Sequence, residues 1–584
     1  MSAAMALPIA NDFHRLSYEP YTVEAMTDAR PATALDALAN AYVEDLARLT
    51  PIQATDMGIP GHDDRLDDFS PDGHEERSAL ARRTLEAIES VPIVDDVDHV
   101  TRLAMRERLG LEVELFEAGE HLADLNVVAS PLQSIRDVFE LMPTSTVEQW
   151  EVIAARMSGV STAVDGYIAS LDKAFRDGPA PALRQVELGV AEAAEMAGDD
   201  SFWQSFVDSA ATDAGPLPPA LFADLETGAG CARAAYARLS KALRAHAADA
   251  PADDAVGRER YQLHSRRFLG DTIDLDETYE WALDDLARIV DEQQALAVEL
   301  FGPGTSIEQA MELLDEDPSR QIRGTEALRE WIQATADEAI EAITDVIDIV
   351  QPARRLDCIV VPTPSGGVYY SGPNDDFSRP GQIWWSVPPD VDAFGTWRMR
   401  TTIYHEGVPG HHLQLSGTVA QLEVLNRWRR LTCWVSGHGE GWALYAECLM
   451  RELGFLDDPG DRMGLLDSQR LRAARVVLDI GFHLGKPHPI EGRWDPARAW
   501  DFLTANSTLP ASLRQFEFDR YLGWPGEAPS YKVGQRIWEG LRADAEARDG
   551  DSFDLRAFHS RALSLGSIPL SVLREALLQP AHAR

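Results

Sequence analysis

Cysteine is scarce in this chain. Its 584 residues hold four, at 231, 358, 433 and 448, and no two form a C-x-x-C pair. That spacing argues against a disulfide framework and against a thiolate cage for zinc, so most of the four read as small buried apolar residues. Positive charge is short as well: 53 Lys and Arg face 96 Asp and Glu, a formal net charge of −43. A field of that sign opposes nucleic acid and anionic membrane surfaces, which are bound by clustered Lys and Arg. It leaves divalent metal open, and its plainest role is solubility or adaptation to salt. Long apolar runs are missing too, since no segment supplies the ~20 uninterrupted apolar residues that a membrane span needs. The N-terminus has no basic region and too short an apolar run for a signal peptide. The expectation is a soluble, cytoplasmic protein without nucleic-acid or membrane partners.

What is present is apolar content of 45%, ample for a large buried core. Residues 1–30 read as a loosely ordered arm. From 31 to 350 the pattern is repeatedly helical. Thr33 suits an N-cap, and Leu35, Leu38, Tyr42, Leu46 and Leu49 follow at three- and four-residue steps, the apolar stripe of an amphipathic helix. Similar stripes cross 100–117, 147–172, 278–301 and 325–351, with Pro and Gly punctuating 175–183 and 213–219. The texture changes at 351–389, where 356–361, 368–370 and 382–387 are short and rich in β-branched and aromatic residues. Turn chemistry separates them, which predicts a small antiparallel meander. Helical patterning resumes near Phe394 and runs to the C-terminus. Residues 351–584 therefore read as a catalytic part joined to the helical part in one continuous, mainly α body.

One stretch in that part carries chemistry: Tyr404-His405-Glu406-Gly407-Val408-Pro409-Gly410-His411-His412-Leu413-Gln414. It begins like the zinc-peptidase signature H-E-x-x-H, in which two histidines on one helical face bind zinc and the glutamate activates water. Pro409 stands where the second histidine belongs. On a regular helix His412 would lie ~10.5 Å along the axis from His405, and His411 would point to another face. Neither reaches an ion held at ~2.0–2.1 Å by His405. Pro409 and Gly410 predict irregularity, however. A bulge absorbing two residues brings in His411, and one absorbing three brings in His412. The smaller distortion favours His411, with His412 left to support the site or face substrate. The plainer reading is that Pro-Gly ends the helix and the histidines are solvated.

A third ligand is available downstream. Glu440 follows His411 by 29 residues, room for a helix, a turn and a second antiparallel helix, and Gly437 and Gly439 break the chain just before it. Zinc peptidases of the glutamate-ligand type take their third ligand from such a position. Glu447, seven residues on, suits orienting a histidine.

These pieces resemble the bacterial domain-of-unknown-function 885 family, placed among gluzincin-type metallopeptidases. The matching residues are the His405–Gln414 run, Glu440-Gly441-Trp442-Ala443-Leu444-Tyr445-Ala446-Glu447, Asp479-Ile480-Gly481-Phe482-His483, Asp519-Arg520-Tyr521, Tyr531-Lys532-Val533-Gly534-Gln535, and Phe558-His559 with Gly566-Ser567-Ile568-Pro569-Leu570. The resemblance implies a large helical, bowl-like zincin architecture with the small sheet beside the metal helix, similar to angiotensin-converting-enzyme-like and oligopeptidase-like enzymes. It implies His405, one histidine of the 411–412 pair and Glu440 as ligands of Zn2+ or another divalent ion, with Glu406 as general base. Tyr521 and Tyr531 are the oxyanion-donor candidates, because similar peptidases use a late tyrosine. Arg520 or Lys532 would hold a substrate carboxylate, His483 would line the site, and Arg379 would shape the substrate edge. The expected activity is hydrolysis of short peptides, of carboxypeptidase, dipeptidase or oligopeptidase type. The alternatives are hydrolysis of a non-peptide amide or ester in a small-molecule substrate, and an inactive helical binding protein. A homodimer is left open.

Overall fold

The stripe after Thr33 forms helix Ala34–Leu49, which buries Leu35, Ala39, Tyr42, Val43 and Leu46 and opens on a capping box between Thr33 and Asp36. The computed structural model describes residues 30–363 and 367–578. The arm expected over 1–30 lies outside these, apart from Arg30. That residue is held firmly. Its guanidinium meets Asp36 at 2.6 Å, Asp95 at 2.6 Å and Asp98 at 2.5 Å. Asn426 completes the cluster by donating to Asp36 Oδ1 at 3.0 Å, tying the first helix to the C-terminal part.

Mainly helical structure runs through both halves, but the apolar core does not divide at 350. One cluster gathers Phe69 and residues between Leu125 and Leu243, around Trp150, Trp203 and Tyr236. A larger one joins residues between Leu35 and Leu109 to those between Tyr261 and Leu577. Helices such as Thr325–Ala342 thus share the core of the C-terminal part through their apolar faces (Leu328, Ile332, Ala336). The 147–172 stripe breaks at Gly159 into helices Val147–Ser158 and Val160–Asp177. Among the described residues no helix is long and apolar enough to cross a membrane.

The sheet beside the metal-motif helix differs from the antiparallel meander expected. Its strands are β1 (Leu356–Pro362), β2 (Gly367–Ser371) and β3 (Gly381–Val387), in the order β1-β3-β2. β3 pairs with β1 in parallel, Leu356 opposite Gly381, and with β2 antiparallel, Val368 opposite Trp385. The reason lies in burial: Ile383, Trp385, Ser386 and Val387 are all buried, so the most apolar strand takes the centre.

Seven helices frame the region of interest: α1 (Leu275–Phe301), α2 (Thr396–Glu406), α3 (His411–Ala420), α4 (Ser436–Glu452), α5 (Pro459–His483), α6 (Ala511–Gly523) and α7 (Ser530–Asp549). α5 packs across α1 and α2, while α4 packs along α7 and α2. The α4–α7 crossing has backbone against backbone. A Cβ on Gly441 would lie 2.4 Å from the Gly534 carbonyl carbon, and one on Gly534 would lie 2.2 Å from the Gly437 oxygen. These glycines bring the turn bearing Glu440 close to the first turn of α7, which bears Tyr531.

The Arg30 cluster yields a stability prediction. Burial opposes the charge on Asp36, yet hydrogen bonds from Asn426 and Thr33 and the Arg30 charge hold its carboxyl below the usual range. A depressed carboxylate contributes stability above its unfolded pKa and loses it as pH falls through the folded value. Arg30→Ala leaves Asp98, fully buried, and Asp36 without their cation. It is expected to destabilise the protein at neutral pH by on the order of 3 kcal/mol in chemical denaturation, with the deficit shrinking below pH ~4.

Candidate metal centre

α2 stops at Glu406 and α3 starts at His411, so the helix does not run on through a bulge. Gly407 to Gly410 fold the chain back between them. The Val408–Pro409 peptide is cis. Gly407 N–H donates to Ile403 O at 2.8 Å, Gly410 N–H to Tyr404 O at 3.0 Å and His412 N–H to Gly407 O at 3.1 Å. Pro409 O accepts from Trp442 Nε1 at 2.9 Å, which docks the loop on α4. At Gly410 the backbone nearly touches the turn it has left: a Cβ there would meet His405 O at 1.9 Å and Tyr404 O at 2.5 Å.

The result is that His411, not His412, comes beside His405. The two rings stand perpendicular with centroids 4.9 Å apart. Glu440 Oε2 lies 3.3 Å from His405 Nε2 and 3.5 Å from His411 Nε2. A ligand atom from each of the three falls within 4.8 Å of the others. Ligands bound tetrahedrally at ~2.0–2.1 Å stand about 3.4 Å apart, so the donor set and its spacing fit a zinc ion. The three residues are buried but keep 6–7% exposure.

The electrostatics favour a cation there. Burial opposes charge on Glu440, but His411 and His405 win and hold its carboxyl far below the usual range. Burial likewise opposes charge on His405, but hydrogen bonds with Glu440 and Glu447 raise its pKa to about 10. Glu447 Oε1 accepts a hydrogen bond from His405 Nδ1–H at 2.8 Å, which turns Nε2 toward Glu440, and Glu447 Oε2 accepts from Thr401 Oγ1 at 2.5 Å. His411 Nδ1 is buried with no hydrogen-bond partner among the described residues. Half-buried Glu406 has its pKa raised by burial and by the Glu440 charge, against the pull of His405, His411 and Arg472.

The two tyrosines separate. Tyr521 is fully buried and engaged: its hydroxyl donates to Glu517 and accepts from Arg475 Nε at 2.5 Å. Tyr531 is half-buried, and its hydroxyl has no hydrogen bond among the described residues. Burial and the charges of Glu440 and Glu527 push its pKa well above the ordinary value, so it stays a donor.

Other sequence candidates lie elsewhere or are committed. His412, fully buried, makes contacts from Nε2 to Ala353 O at 2.7 Å and from Nδ1 to Tyr370 Oη at 2.9 Å. His483 is a satisfied core histidine, bonded to Tyr521 O at 3.0 Å and to Val256 N–H at 3.4 Å; burial lowers its pKa to about 4. Arg520 is occupied by Glu517 at 2.8 Å and Glu527 at 2.5 Å. Lys532 faces a separate cavity of about 370 Å³, with Asp285 at 3.3 Å. Arg379 is exposed and braces its own turn through Gly372 O at 2.7 Å. What the sequence reading missed is Arg472. Its signal was a four-three-four spacing of polar residues on α5: Ser468, Arg472, Arg475 and Asp479.

The Gly410 contact is testable without reference to function. Gly410→Ala must push two backbone carbonyls aside, at a cost of at least ~1–3 kcal/mol, and is expected to lower the thermal midpoint where Gly417→Ala, in open space on α3, does not.

Two solved structures share the fold. A "putative lipoprotein" from Colwellia psychrerythraea superposes with a TM-score of 0.79 at 22% identity, covering 93% of this chain and 98% of its own. A "putative lipoprotein of unknown function" from Shewanella oneidensis gives 0.73 at 18% identity, covering 94% and 100%. No curated protein matches the chain. The family model described as "Bacterial protein of unknown function (DUF885)" matches residues 51–577, and the chain belongs to that family.

Proposed function

We propose that this chain is a zinc-dependent metallopeptidase of the gluzincin type, acting on short peptides. The observation that carries the reading is the buried set of two imidazoles and one carboxylate with Glu406 directly beside it. His405, His411 and Glu440 would hold the ion, which would act as a Lewis acid and lower the pKa of water. Glu447 keeps the proton of His405 on Nδ1 and so fixes the ring's ligating face. Glu406, its proton affinity raised by burial, takes a proton from water and returns it to the leaving nitrogen. Tyr531 donates its free hydroxyl to the developing oxyanion. Tyr521 acts indirectly, through Arg475, whose guanidinium lies 5.3 Å over the Tyr531 ring. Among the described residues β2 is paired by β3 on one side only, and the Tyr370–His412 contact holds it against α3, leaving an edge for extended substrate.

Protein purified without chelator is expected to carry about one zinc or other divalent ion per chain by elemental analysis. Glu440→Ala and His411→Ala should lose the ion, whereas folded His412→Gln should keep it. Glu406→Gln is expected to retain the ion while cleavage of a peptide library falls ~10²–10⁴-fold. A metal-free protein, or a Glu406→Gln variant that cleaves at the parent rate, contradicts the reading.

A further inference from the structure

Helix α5 aligns four of its polar residues. Ser468, Arg472, Arg475 and Asp479 are spaced by four, three and four residues, which at ~100° per residue confines them to one narrow face. The two residues flanking Arg472 locate that face. Ser468 Oγ reaches Glu447 Oε2, the carboxylate behind His405, at 3.5 Å. Arg475 touches Tyr521 and covers Tyr531. Arg472 therefore lies between them on that face, within electrostatic reach of Glu406.

Arg472 differs from its neighbours in having nothing to hold. Arg475 is neutralised by Glu517 at 2.7 Å, and Arg520 by Glu517 and Glu527. Arg472 has only a long contact to Ser468 O at 3.4 Å, and its Nε is buried with no hydrogen-bond partner. No carboxylate among the described residues forms an ion pair with it. A buried donor left unmade costs ~1–3 kcal/mol, which an acceptor arriving at this edge of the site would recover. A guanidinium offering Nε and one terminal nitrogen side-on matches the two oxygens of a carboxylate. An acid entering this site, already crowded by Glu406, Glu440 and Glu447, needs such a cation.

We propose that Arg472 receives the C-terminal carboxylate of a peptide substrate and seats the last residue beside Glu406, making the enzyme a carboxypeptidase or dipeptidase. The inference rests on the metallopeptidase reading and assigns to Arg472 the role the sequence had suggested for Arg520 or Lys532.

The test reads binding, so its failure is distinct from absent metal or absent turnover. Zinc-loaded Glu406→Gln protein is equilibrated with a pool of tripeptides bearing free C-termini and with the same pool amidated. Bound members are quantified by mass spectrometry. Free acids are expected to be enriched over their amides by roughly 10–100-fold, the worth of a charge-assisted hydrogen bond. Arg472→Met, which keeps the apolar stem, should abolish that preference by weakening the acids alone, and Arg472→Lys should restore part of it. The proposal is overturned if acids and amides bind alike, if the preference survives in a folded Arg472→Met protein, or if neither pool is retained.

Discussion

The approach of Gly410 to the carbonyl of His405 is the constraint on which the site depends. On a straight helix His405 and His411 face different sides of the axis. Folding back at Gly407–Gly410 turns that six-residue separation into neighbouring rings, and it works only where the chain can pass its own previous turn without a Cβ. The same loop presents Pro409 O to Trp442 Nε1, so the segment that sets His411 against His405 also registers α4. Glu440 lies half a turn before Trp442 on that helix. One loop thus aligns side chains from three helices.

Local pairing, and not the overall acidity of −43, gives the site its character. Glu440 and His405 are both driven toward their charged forms against burial, Glu440 by His411 and His405, and His405 by Glu440 and Glu447. A site that holds a proton on a buried imidazole at about pH 10 already supplies the field that a divalent cation would exploit. The second ring of charges behaves differently. Burial opposes ionisation of Glu517, yet Arg520 and Arg475 hold its pKa down to about 2, and the cluster closes on itself. It fixes Tyr521 and steadies Tyr531 without adding a free charge.

Much of this was legible in the sequence. Helical stripes mark the helices because burial of one face forces a 3.6-residue period, and Pro409-Gly410 between paired histidines marks a broken helix. The order of the strands was not legible. Alternation and turn residues locate β1, β2 and β3 but do not say which is central; that follows from the burial of Trp385 and Val387, a property of the assembled core. Neither could the Asp519-Arg520-Tyr521 run be resolved. A charged tripeptide reads as surface or ligand-binding, but here Arg520 is spent on Glu517 and Glu527. His483, in an apolar setting, proved to be a core residue bonded to backbone on both ring nitrogens. That residues on both sides of 350 share one apolar cluster was not legible either, since a helix's own sequence does not name the surface it covers.

The stripe on α5 shows how polar residues can specify packing that apolar ones leave loose. Apolar faces of similar shape tolerate sliding, because their attraction is roughly proportional to area and has no direction. Hydrogen bonds penalise a slide, since every buried donor or acceptor left unmatched carries a cost. Ser468 engages Glu447 on α4, and Arg475 engages Glu517 and Tyr521 on α6. Asp479 accepts from Tyr261 Oη at 2.6 Å and from Gly526 N–H, in the α6–α7 connection, at 2.9 Å. Burial still raises its pKa to about 7, so those donors reduce the penalty without removing it. A shift of α5 by one turn would break all three sets at once. The helix is therefore fixed in depth against α4, α6 and the start of α7, the elements that carry Glu440 and Tyr531, and the geometry at the centre inherits that register.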